Sequence, residues 1–163
     1  MPQGRYDHEK GKPTVPQCGR SRVSISFDGK MLVLRGPRLQ FSWAAASGRP
    51  ESRGNFDYSA NRQKIGGTGP IPAGEYWINP TEVWERPWYA PQKAVTWGDY
   101  RVTLHVMPGT ETHGRGGFFI HGGSVAGSAG CIDLTADINR FMTRLREPLR
   151  NAPNCYVPVT VRY

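Results

Sequence analysis

Cysteine is scarce in this chain of 163 residues, where only Cys18, Cys131 and Cys155 occur. The three form no C-x-x-C pair, so the sequence predicts neither a zinc ribbon nor a disulfide framework. Because their number is odd, at least one thiol is free. A bridge between Cys18 and Cys155 would need an oxidising compartment, and the sequence alone leaves it open.

Long hydrophobic runs are also missing. No stretch approaches the roughly 18 consecutive apolar residues of a membrane-spanning helix. Residues 1–12 are polar and charged, without the apolar centre of a secretion signal. We therefore expect no membrane span and a protein that is made in the cytoplasm without a Sec signal.

Acidic residues are the minority, because 13 Asp and Glu stand against 21 Lys and Arg, for a net charge of +8. Such an excess favours an anionic partner, which is nucleic acid, a membrane surface or an acidic polymer of the bacterial envelope. The basic residues are scattered, and no nucleic-acid-binding motif is present. We therefore expect no nucleic-acid partner, although a basic nucleic-acid-binding protein remains an alternative.

Glycine and proline, by contrast, are abundant, with 20 and 14 copies. Together with 37% hydrophobic and 11% aromatic residues, they indicate many short strands joined by turns rather than a disordered chain. The length fits one domain. We predict a flexible N-terminal arm at residues 1–20 and a single domain at residues 21–163.

Three segments carry clear secondary-structure signals. Apolar residues alternate with serines at 23–27 before an Asp-Gly turn, which predicts a β-hairpin. Residues 101–107 alternate as well, and His105 falls on the polar face of that strand, so we expect it to be exposed. Apolar residues at helical spacing predict one main α-helix at about 135–148, with Thr135 as its N-cap.

A histidine and a cysteine frame the most informative segment. His121 ends a short apolar strand, a glycine-rich loop follows, and Cys131 comes just before the predicted helix. A thiol is mostly protonated at neutral pH, so a nucleophilic cysteine needs an imidazole or another positive group to activate it. A loop of this length can fold back and bring the two side chains together.

The glycines of this loop have a physical use. Gly127 and Gly130 can take positive φ and let a substrate backbone approach closely. The N–H groups of Gly130 and Cys131 would then form an oxyanion hole. The carbonyl of Gly122 would hold the second nitrogen of the His121 imidazole.

The run from His121 to Ser128-Ala129-Gly130-Cys131-Ile132-Asp133-Leu134 resembles the YkuD-type L,D-transpeptidase signature, in which a histidine precedes a Ser/Thr-His-Gly-Cys box. The chain is more similar still to the Tlde1-type domain of type VI secretion effectors. That similarity includes Gly69-Pro70-Ile71-Pro72-Ala73-Gly74-Glu75-Tyr76, the Phe-Ile-His-Gly strand and the Gly-Cys-Ile box, and it spans approximately residues 58–141.

The resemblance implies a mainly β fold, a YkuD-like β-sandwich or barrel with its main helix after the catalytic loop. It also implies an L,D-transpeptidase or L,D-carboxypeptidase, in which Cys131 is the nucleophile, His121 the general base, and Ser128 with Gly130 shapes the loop. The thiol would attack the diamino-acid–D-Ala bond of a tetrapeptide stem, release D-alanine and leave a thioester for water or an amine. Because His113, His121 and Cys131 lack a recognised metal-site spacing, we expect no metal ion and no cofactor.

As an effector, the protein would be secreted and act in the periplasm of a target bacterium. Its substrate would be peptidoglycan stem peptides, and its partners an immunity protein and a component of the secretion system. A catalytically idle cell-wall-binding module of the same fold remains an alternative function.

The chain departs from the transpeptidase pattern near the nucleophile. Ala129 replaces the second histidine of the box, the His-to-Cys spacing is shorter, and Asp133 stands where that family often has Arg or Asn. These differences favour an altered substrate register or a hydrolytic outcome. His113, Arg115 and Asp133 are candidates for substrate binding, since arginine suits bidentate recognition of a carboxylate. The aromatic segment at 84–97 is either a sugar- or peptide-binding wall or part of the core.

Overall fold

The computed structural model describes residues 5–150 and 156–163; Cys155, and with it a Cys18–Cys155 bridge, lies outside them. The described chain is mainly β, as predicted, with eleven strands in two sheets. The strands are β1 (Ser24–Phe27), β2 (Met31–Gly36), β3 (Leu39–Ala44), β4 (Ala46–Ser47), β5 (Gly74–Ile78), β6 (Val83–Glu85), β7 (Tyr100–Thr103), β8 (His105–Val106), β9 (Phe119–His121), β10 (Ile132–Asp133) and β11 (Val157–Val161). The helices are α1 (Arg5–Glu9), α2 (Ala60–Gln63), α3 (Lys93–Thr96), a 3-10 turn (Thr135–Asp137) and α4 (Ile138–Arg146).

At two points in the chain, a single residue connects a strand of one sheet to a strand of the other. The larger sheet has the strand order β3-β2-β1-β11-β5-β8, and the smaller has the order β4-β10-β9-β7-β6. The chain passes from the larger sheet to the smaller at Ala45 and back at Leu104. Two strand pairs are parallel, β1 with β11 and β9 with β10. The second pair determines the site, because it brings the strand that ends at His121 beside the segment that follows Cys131.

The predicted hairpin is formed by β1 and β2, which pair antiparallel. Asp28 Oδ1 accepts hydrogen bonds from the N–H groups of Lys30 and Met31 across the turn, and Gly29 adopts a φ of 91°. A positive φ at this position is cheap only for glycine. The alternating apolar residues at 23–27 are buried, so this prediction is confirmed.

The hydrophobic core draws on both sheets and on α4. Its fully buried members include Leu34 and Tyr76 from the larger sheet, Ile120 from the smaller sheet and Phe141 from α4. The Trp43 ring packs edge-on against Phe141, with the ring centroids 5.6 Å apart. Because a close-packed core resists deformation, β9 and β10 are rigid supports for the side chains they carry.

The main helix begins later than predicted. Residues 135–137 form the 3-10 turn, and α4 covers Ile138–Arg146 rather than 135–148. Thr135 is not an N-cap, since it adopts a φ of 51° and donates its own N–H to Asp133 Oδ1 at 2.8 Å. The buried residues of the helix do follow the predicted spacing: Ile138, Phe141, Met142 and Leu145. Within the described residues, no helix is long and apolar enough to cross a membrane.

Residues 7–14, within the predicted N-terminal arm, lie along the β8 edge of the larger sheet. Thr14 donates its N–H to Val106 O at 2.8 Å and accepts the Trp77 indole N–H at 3.0 Å. The His8 side chain is 7% exposed. The segment therefore covers an edge strand, which would otherwise present unpaired backbone groups.

His105 is buried, so the prediction that it is exposed is wrong. Its Nε2 lies 2.7 Å from Glu82 Oε2, and its ring stacks on Trp77 with the centroids 4.2 Å apart. The alternation pattern assumed an open polar face on this strand. In the structure His8 covers that face, with its ring centroid 6.0 Å from that of His105.

Candidate active site

Three polar side chains stand in one row across the smaller sheet. His121, the last residue of β9, pairs directly with Arg101 on β7 and with Asp133 on β10. Residues directly opposite one another on neighbouring strands project to the same face, with Cβ atoms about 5 Å apart. A cation and an anion therefore flank the imidazole. We call this group the Arg101–His121–Asp133 row.

The His121 ring is held at both nitrogens. Nδ1 lies 2.5 Å from the carbonyl oxygen of Gly122, which is the contact expected of Gly122. Since a carbonyl can only accept, Nδ1 carries a proton and donates it. In the neutral ring Nε2 is then an acceptor, and it lies 2.9 Å from the hydroxyl oxygen of Ser128. The ring thus presents a basic nitrogen to Ser128.

The electrostatic environment keeps this imidazole neutral. Burial is the main cause of a pKa that lies below the ordinary value for His121, and the Arg101 cation acts in the same direction. The Gly122 carbonyl and the Asp133 carboxylate oppose the decrease because both stabilise an imidazolium. A neutral ring with a charged carboxylate beside it can accept a proton and have the resulting charge partly compensated.

The thiol of Cys131 is buried, with 4% of the residue exposed. Burial raises its pKa to about 11, while hydrogen bonds from the Phe119 N–H and the Ser128 hydroxyl act to lower it. The thiol donates a long hydrogen bond, 3.8 Å, to the carbonyl oxygen of Gly117. At neutral pH the resting thiol is therefore protonated, and it needs a base before it can act as a nucleophile.

Ser128 interacts with both His121 and Cys131. Its hydroxyl oxygen lies 2.9 Å from His121 Nε2, and the same hydroxyl acts to lower the pKa of the Cys131 thiol. A hydroxyl can accept a proton from one neighbour while it donates its own to another, so it can connect thiol and imidazole.

Both carboxylate oxygens of Asp133 accept backbone hydrogen bonds, one from the loop before Cys131 and one from the segment after it. Its Oδ2 accepts the N–H of Gly127 at 3.1 Å, and its Oδ1 accepts the N–H of Thr135 at 2.8 Å. The residue is only 2% exposed, and burial raises the pKa of its carboxyl. With both oxygens engaged by backbone groups, Asp133 has the contacts of a residue that positions the loop and His121 rather than of one that meets substrate.

The loop between His121 and Cys131 is fixed by backbone hydrogen bonds to three other segments. Its residues 122 and 124 donate to the carbonyls of residues 97 and 95, residue 128 accepts from residue 48, and residue 130 donates to residue 69. Gly127 and Gly130 adopt φ of 99° and 75°, the left-handed values that their identity allows. A Cβ at Gly130 would lie 3.0 Å from the Phe118 ring.

One expected role of this loop does not match the geometry. The Gly130 N–H donates to the carbonyl oxygen of Gly69 at 3.0 Å, so in this conformation it is not directed at an oxyanion. The physical reason is that this hydrogen bond connects the loop to the turn at residues 66–74. The predicted oxyanion hole at Gly130 and Cys131 therefore lacks one of its two donors.

Two of the candidate binding residues, Arg115 and His113, have different surroundings. The Arg115 guanidinium donates to three backbone carbonyls, those of Gln63, Gly69 and Pro70, at 2.6 to 2.9 Å. It holds the turn that supports Gly130, and burial lowers its pKa. His113 is an exposed loop residue with a φ of 56° and its ring 3.8 Å from Glu111.

The aromatic segment divides into an exposed part and a part at the site. Trp88 and Tyr89 are 88% and 70% exposed. Trp84 and Trp97 face the Arg101 guanidinium, whose central carbon lies 4.9 and 4.6 Å from their ring centroids, and the Phe119 ring is 4.9 Å away. Sequence reasoning treated Arg101 as one of many scattered basic residues. Its position beside His121 depends on the pairing of β7 with β9, for which the sequence offers no local signal.

The described residues contain no group of three or more His, Cys, Asp or Glu side chains arranged to hold a metal ion. A comparison with protein families matches residues 43–159 to the family described as the Tlde1 domain. The matched segment is well over half of the chain and contains the Arg101–His121–Asp133 row together with Ser128 and Cys131. No curated protein matches the chain.

Proposed function

The chain belongs to the Tlde1 domain family, and from that premise we propose that it is a type VI secretion effector that modifies peptidoglycan with a cysteine nucleophile. The reaction is cleavage or exchange of the diamino-acid–D-Ala bond in tetrapeptide stems. One observation carries this proposal, namely the hydrogen-bonded series that runs from the Gly122 carbonyl through His121 to Ser128, with the Cys131 thiol beside it.

In the first step the thiol loses its proton and attacks. The Cys131 proton passes to the Ser128 oxygen as the Ser128 proton passes to His121 Nε2, so that Ser128 is unchanged overall. The sulfur forms a bond to the carbonyl carbon of the diamino acid, and the carbonyl π electrons move to its oxygen. His121 becomes an imidazolium between Asp133 and the Gly122 carbonyl, both of which favour the charged ring.

The tetrahedral intermediate then collapses to a thioester. The carbon–nitrogen bond breaks, the imidazolium returns its proton to the departing amine, and D-alanine leaves. Water or an incoming amine next attacks the thioester carbon and gives a proton to His121, and the sulfur leaves as the recovered thiol. Hydrolysis yields a tripeptide stem, whereas an amino-acid amine gives exchange and a second stem gives a cross-link.

The proton affinities of the resting site fit this order of events. A thiol whose burial raises its pKa to about 11 is inert until a base is placed to receive its proton. A histidine whose pKa is lowered is ready as that base throughout the neutral range. Activation of the nucleophile is therefore coupled to substrate attack, and no free thiolate persists between turnovers.

The direct test is to incubate the purified protein with tetrapeptide muropeptides and to follow the stems by mass spectrometry. We expect loss of D-alanine with the wild-type protein and no detectable turnover with Cys131→Ala, because the substitution removes the nucleophile and keeps the loop glycines. His121→Ala should be nearly as severe, since members of one catalytic unit are strongly non-additive.

Cys18→Ala provides the matched control, because it also removes a thiol but one that is only partly buried and distant in sequence from the site. This variant should turn over at the wild-type rate under reducing conditions. If folded Cys131→Ala protein, verified by circular dichroism, trims stems as fast as the wild type, the mechanism is wrong. A wild-type protein that binds stems without altering them would identify the idle cell-wall-binding module.

A further inference from the structure

Residues 7–14, which the mechanism above does not use, contact both the edge strand β8 and the segment that leads into β9. Thr14 donates its N–H to the carbonyl oxygen of Val106 on β8 at 2.8 Å. Two residues before β9, the Gly117 N–H donates to the carbonyl oxygen of His8 at 3.1 Å. Residues 7–14, which we call the N-terminal strap, therefore connect β8 to the beginning of β9.

The strap lies directly against the backbone of residues 115–117. Gly11 adopts a φ of 66°, and a Cβ at this position would overlap the carbonyl oxygen of Arg115. A Cβ at Gly116 would overlap the backbone nitrogen of Gly11 and would lie 2.6 Å from the carbonyl oxygen of Glu9. Two backbones approach this closely only where glycine provides the space. The strap is thus seated against this segment by one glycine from each side.

The segment that the strap contacts also holds the nucleophile. The Cys131 thiol donates to the carbonyl oxygen of Gly117 at 3.8 Å, and the Phe119 N–H donates to the Cys131 sulfur. Gly117 adopts a φ of 74°, and a Cβ there would meet no atom within 4 Å, so its surroundings leave it room to move. The hydrogen bond to His8 restrains the residue whose carbonyl accepts the thiol.

A second contact between the strap and the site runs through aromatic rings. The His8 ring packs edge-on against the Phe119 ring, with the centroids 4.9 Å apart. Phe119 packs in the same way against Trp97 at 5.6 Å, and Trp97 against His121 at 5.2 Å. Because close-packed interiors transmit displacement, a shift of the strap would move the residues that surround the thiol and the imidazole.

We propose that the N-terminal strap positions the nucleophile, because it holds Gly117 and Phe119 in the places from which they orient the Cys131 thiol. His8 and Gly11 are positioning residues, since they act through that segment. The inference rests on the proposed function and adds to it the condition under which the site is active, which is a docked strap.

A purely protective role for the strap would require less than the structure shows. Covering the unpaired backbone groups of β8 needs contacts with that strand alone. The contacts with residues 115–117 and with Phe119 have no part in covering an edge. The two roles also differ in their consequences, because loss of an edge cover lowers stability, whereas displacement of a reacting group by about 1 Å lowers the rate in protein that is still folded.

The experiment measures kcat and KM for release of D-alanine from a disaccharide tetrapeptide by the full chain and four variants. Gly11→Ala forces the strap away from the Arg115 carbonyl. Gly109→Ala is the matched control, because Gly109 also has a left-handed φ, 93°, but a Cβ there would meet no atom within 4 Å. His8→Ala removes the ring that contacts Phe119, and His8→Phe keeps a ring there. Circular dichroism and thermal unfolding verify that each protein is folded.

We expect Gly11→Ala to lower kcat by about 10- to 100-fold, the effect of a small misplacement of reacting atoms. Its KM should stay within about twofold of the wild-type value, because the strap acts on the chemical step and not on binding. Gly109→Ala should match the wild type in both constants, although the left-handed backbone strain destabilises both glycine variants. His8→Ala should lower kcat by a smaller factor than Gly11→Ala, and His8→Phe should retain the wild-type kcat.

Equal kinetics in Gly11→Ala and Gly109→Ala would overturn the inference and leave the proposed function intact. A higher KM at unchanged kcat in Gly11→Ala would overturn it as well, since the strap would then act on substrate binding. If Gly11→Ala does not fold, the His8 pair decides: a lower kcat in His8→Ala than in His8→Phe supports positioning, and equal values contradict it. Wild-type inactivity would remove the proposed function, and the inference with it.

Discussion

At the scale of single residues, Ser128 is the group that interacts with both His121 and Cys131. Its hydroxyl oxygen lies 2.9 Å from His121 Nε2, and its hydroxyl acts to lower the pKa of the Cys131 thiol. In the proposed mechanism this hydroxyl relays a proton, which would give Ser128 a chemical function that can be separated from its role in shaping the loop.

Replacing Ser128 by Ala should lower kcat for stem cleavage about 100-fold, at the lower end of what a positioned proton-transfer group contributes. Folding should survive, because the backbone carbonyl of residue 128, which accepts the Gly48 N–H at 2.9 Å, is kept in the variant. Ser128→Thr keeps the hydroxyl and should retain more activity than Ser128→Ala. Steady-state kinetics with the muropeptide substrate measures both, and equal losses in the two variants would contradict a relay.

At the scale of elements, local patterns were predictable and long-range pairings were not. The β1–β2 hairpin follows from its alternation and its Asp-Gly turn, and α4 follows from helical spacing of apolar residues. The parallel pairing of β9 with β10 has no comparable pattern in the sequence, although it determines the position of Asp133 beside His121. Arg101 was missed for the same reason, since its neighbour His121 lies on another strand.

The N-terminal segment shows a second limit of sequence reasoning. Residues 1–20 have almost no apolar periodicity, yet residues 7–14 lie along β8 through backbone and histidine contacts. Those contacts depend on a partner surface that only the folded sheet provides. The cover also explains the burial of His105, which an isolated strand pattern places on the exposed face.

The burial of His8 makes stability dependent on pH. Burial and the neighbouring His105 lower the pKa of His8 to about 4, although Glu82 and Glu9 act to raise it. Its folded pKa lies below its unfolded value of 6.5, so the unfolded chain takes up the proton first as the pH falls. The stabilising contribution is present above pH 6.5 and is lost as the pH falls from there to about 4.

Replacing His8 by Phe should therefore reduce the loss of stability in acid. Between pH 7 and pH 5 the wild type should lose about 2 kcal/mol of unfolding free energy more than the variant, from the difference between the two pKa values. Urea unfolding at both pH values measures this, and His113→Asn, which removes an exposed histidine, is the control. An identical pH dependence in His8→Phe and wild type would show that His8 is not buried in solution.

At the scale of the whole molecule, the net positive charge and the proposed chemistry both suit a substrate in the bacterial envelope. A net charge of +8 on a 163-residue chain gives long-range attraction to an anionic polymer and speeds encounter with it. The proposed substrate is part of the bacterial envelope. The attraction between exposed charges is weakened by salt.

The location of the substrate yields the last prediction. Peptidoglycan stems lie outside the cytoplasmic membrane, so the protein should harm a Gram-negative host only when an added signal peptide directs it to the periplasm. Growth and cell shape after induction provide the measurement, with immunoblots to confirm equal amounts of protein in the two compartments. We expect arrested growth and swollen cells for periplasmic wild type and normal growth for the cytoplasmic form.

Periplasmic Cys131→Ala is the essential control in this experiment, because it carries the same charge and the same signal peptide but lacks the nucleophile. If it is harmless, toxicity depends on the thiol and not on overloading of export or on binding of a basic protein to the wall. Equal toxicity of the cytoplasmic form would require a target inside the cell and would contradict peptidoglycan as the substrate.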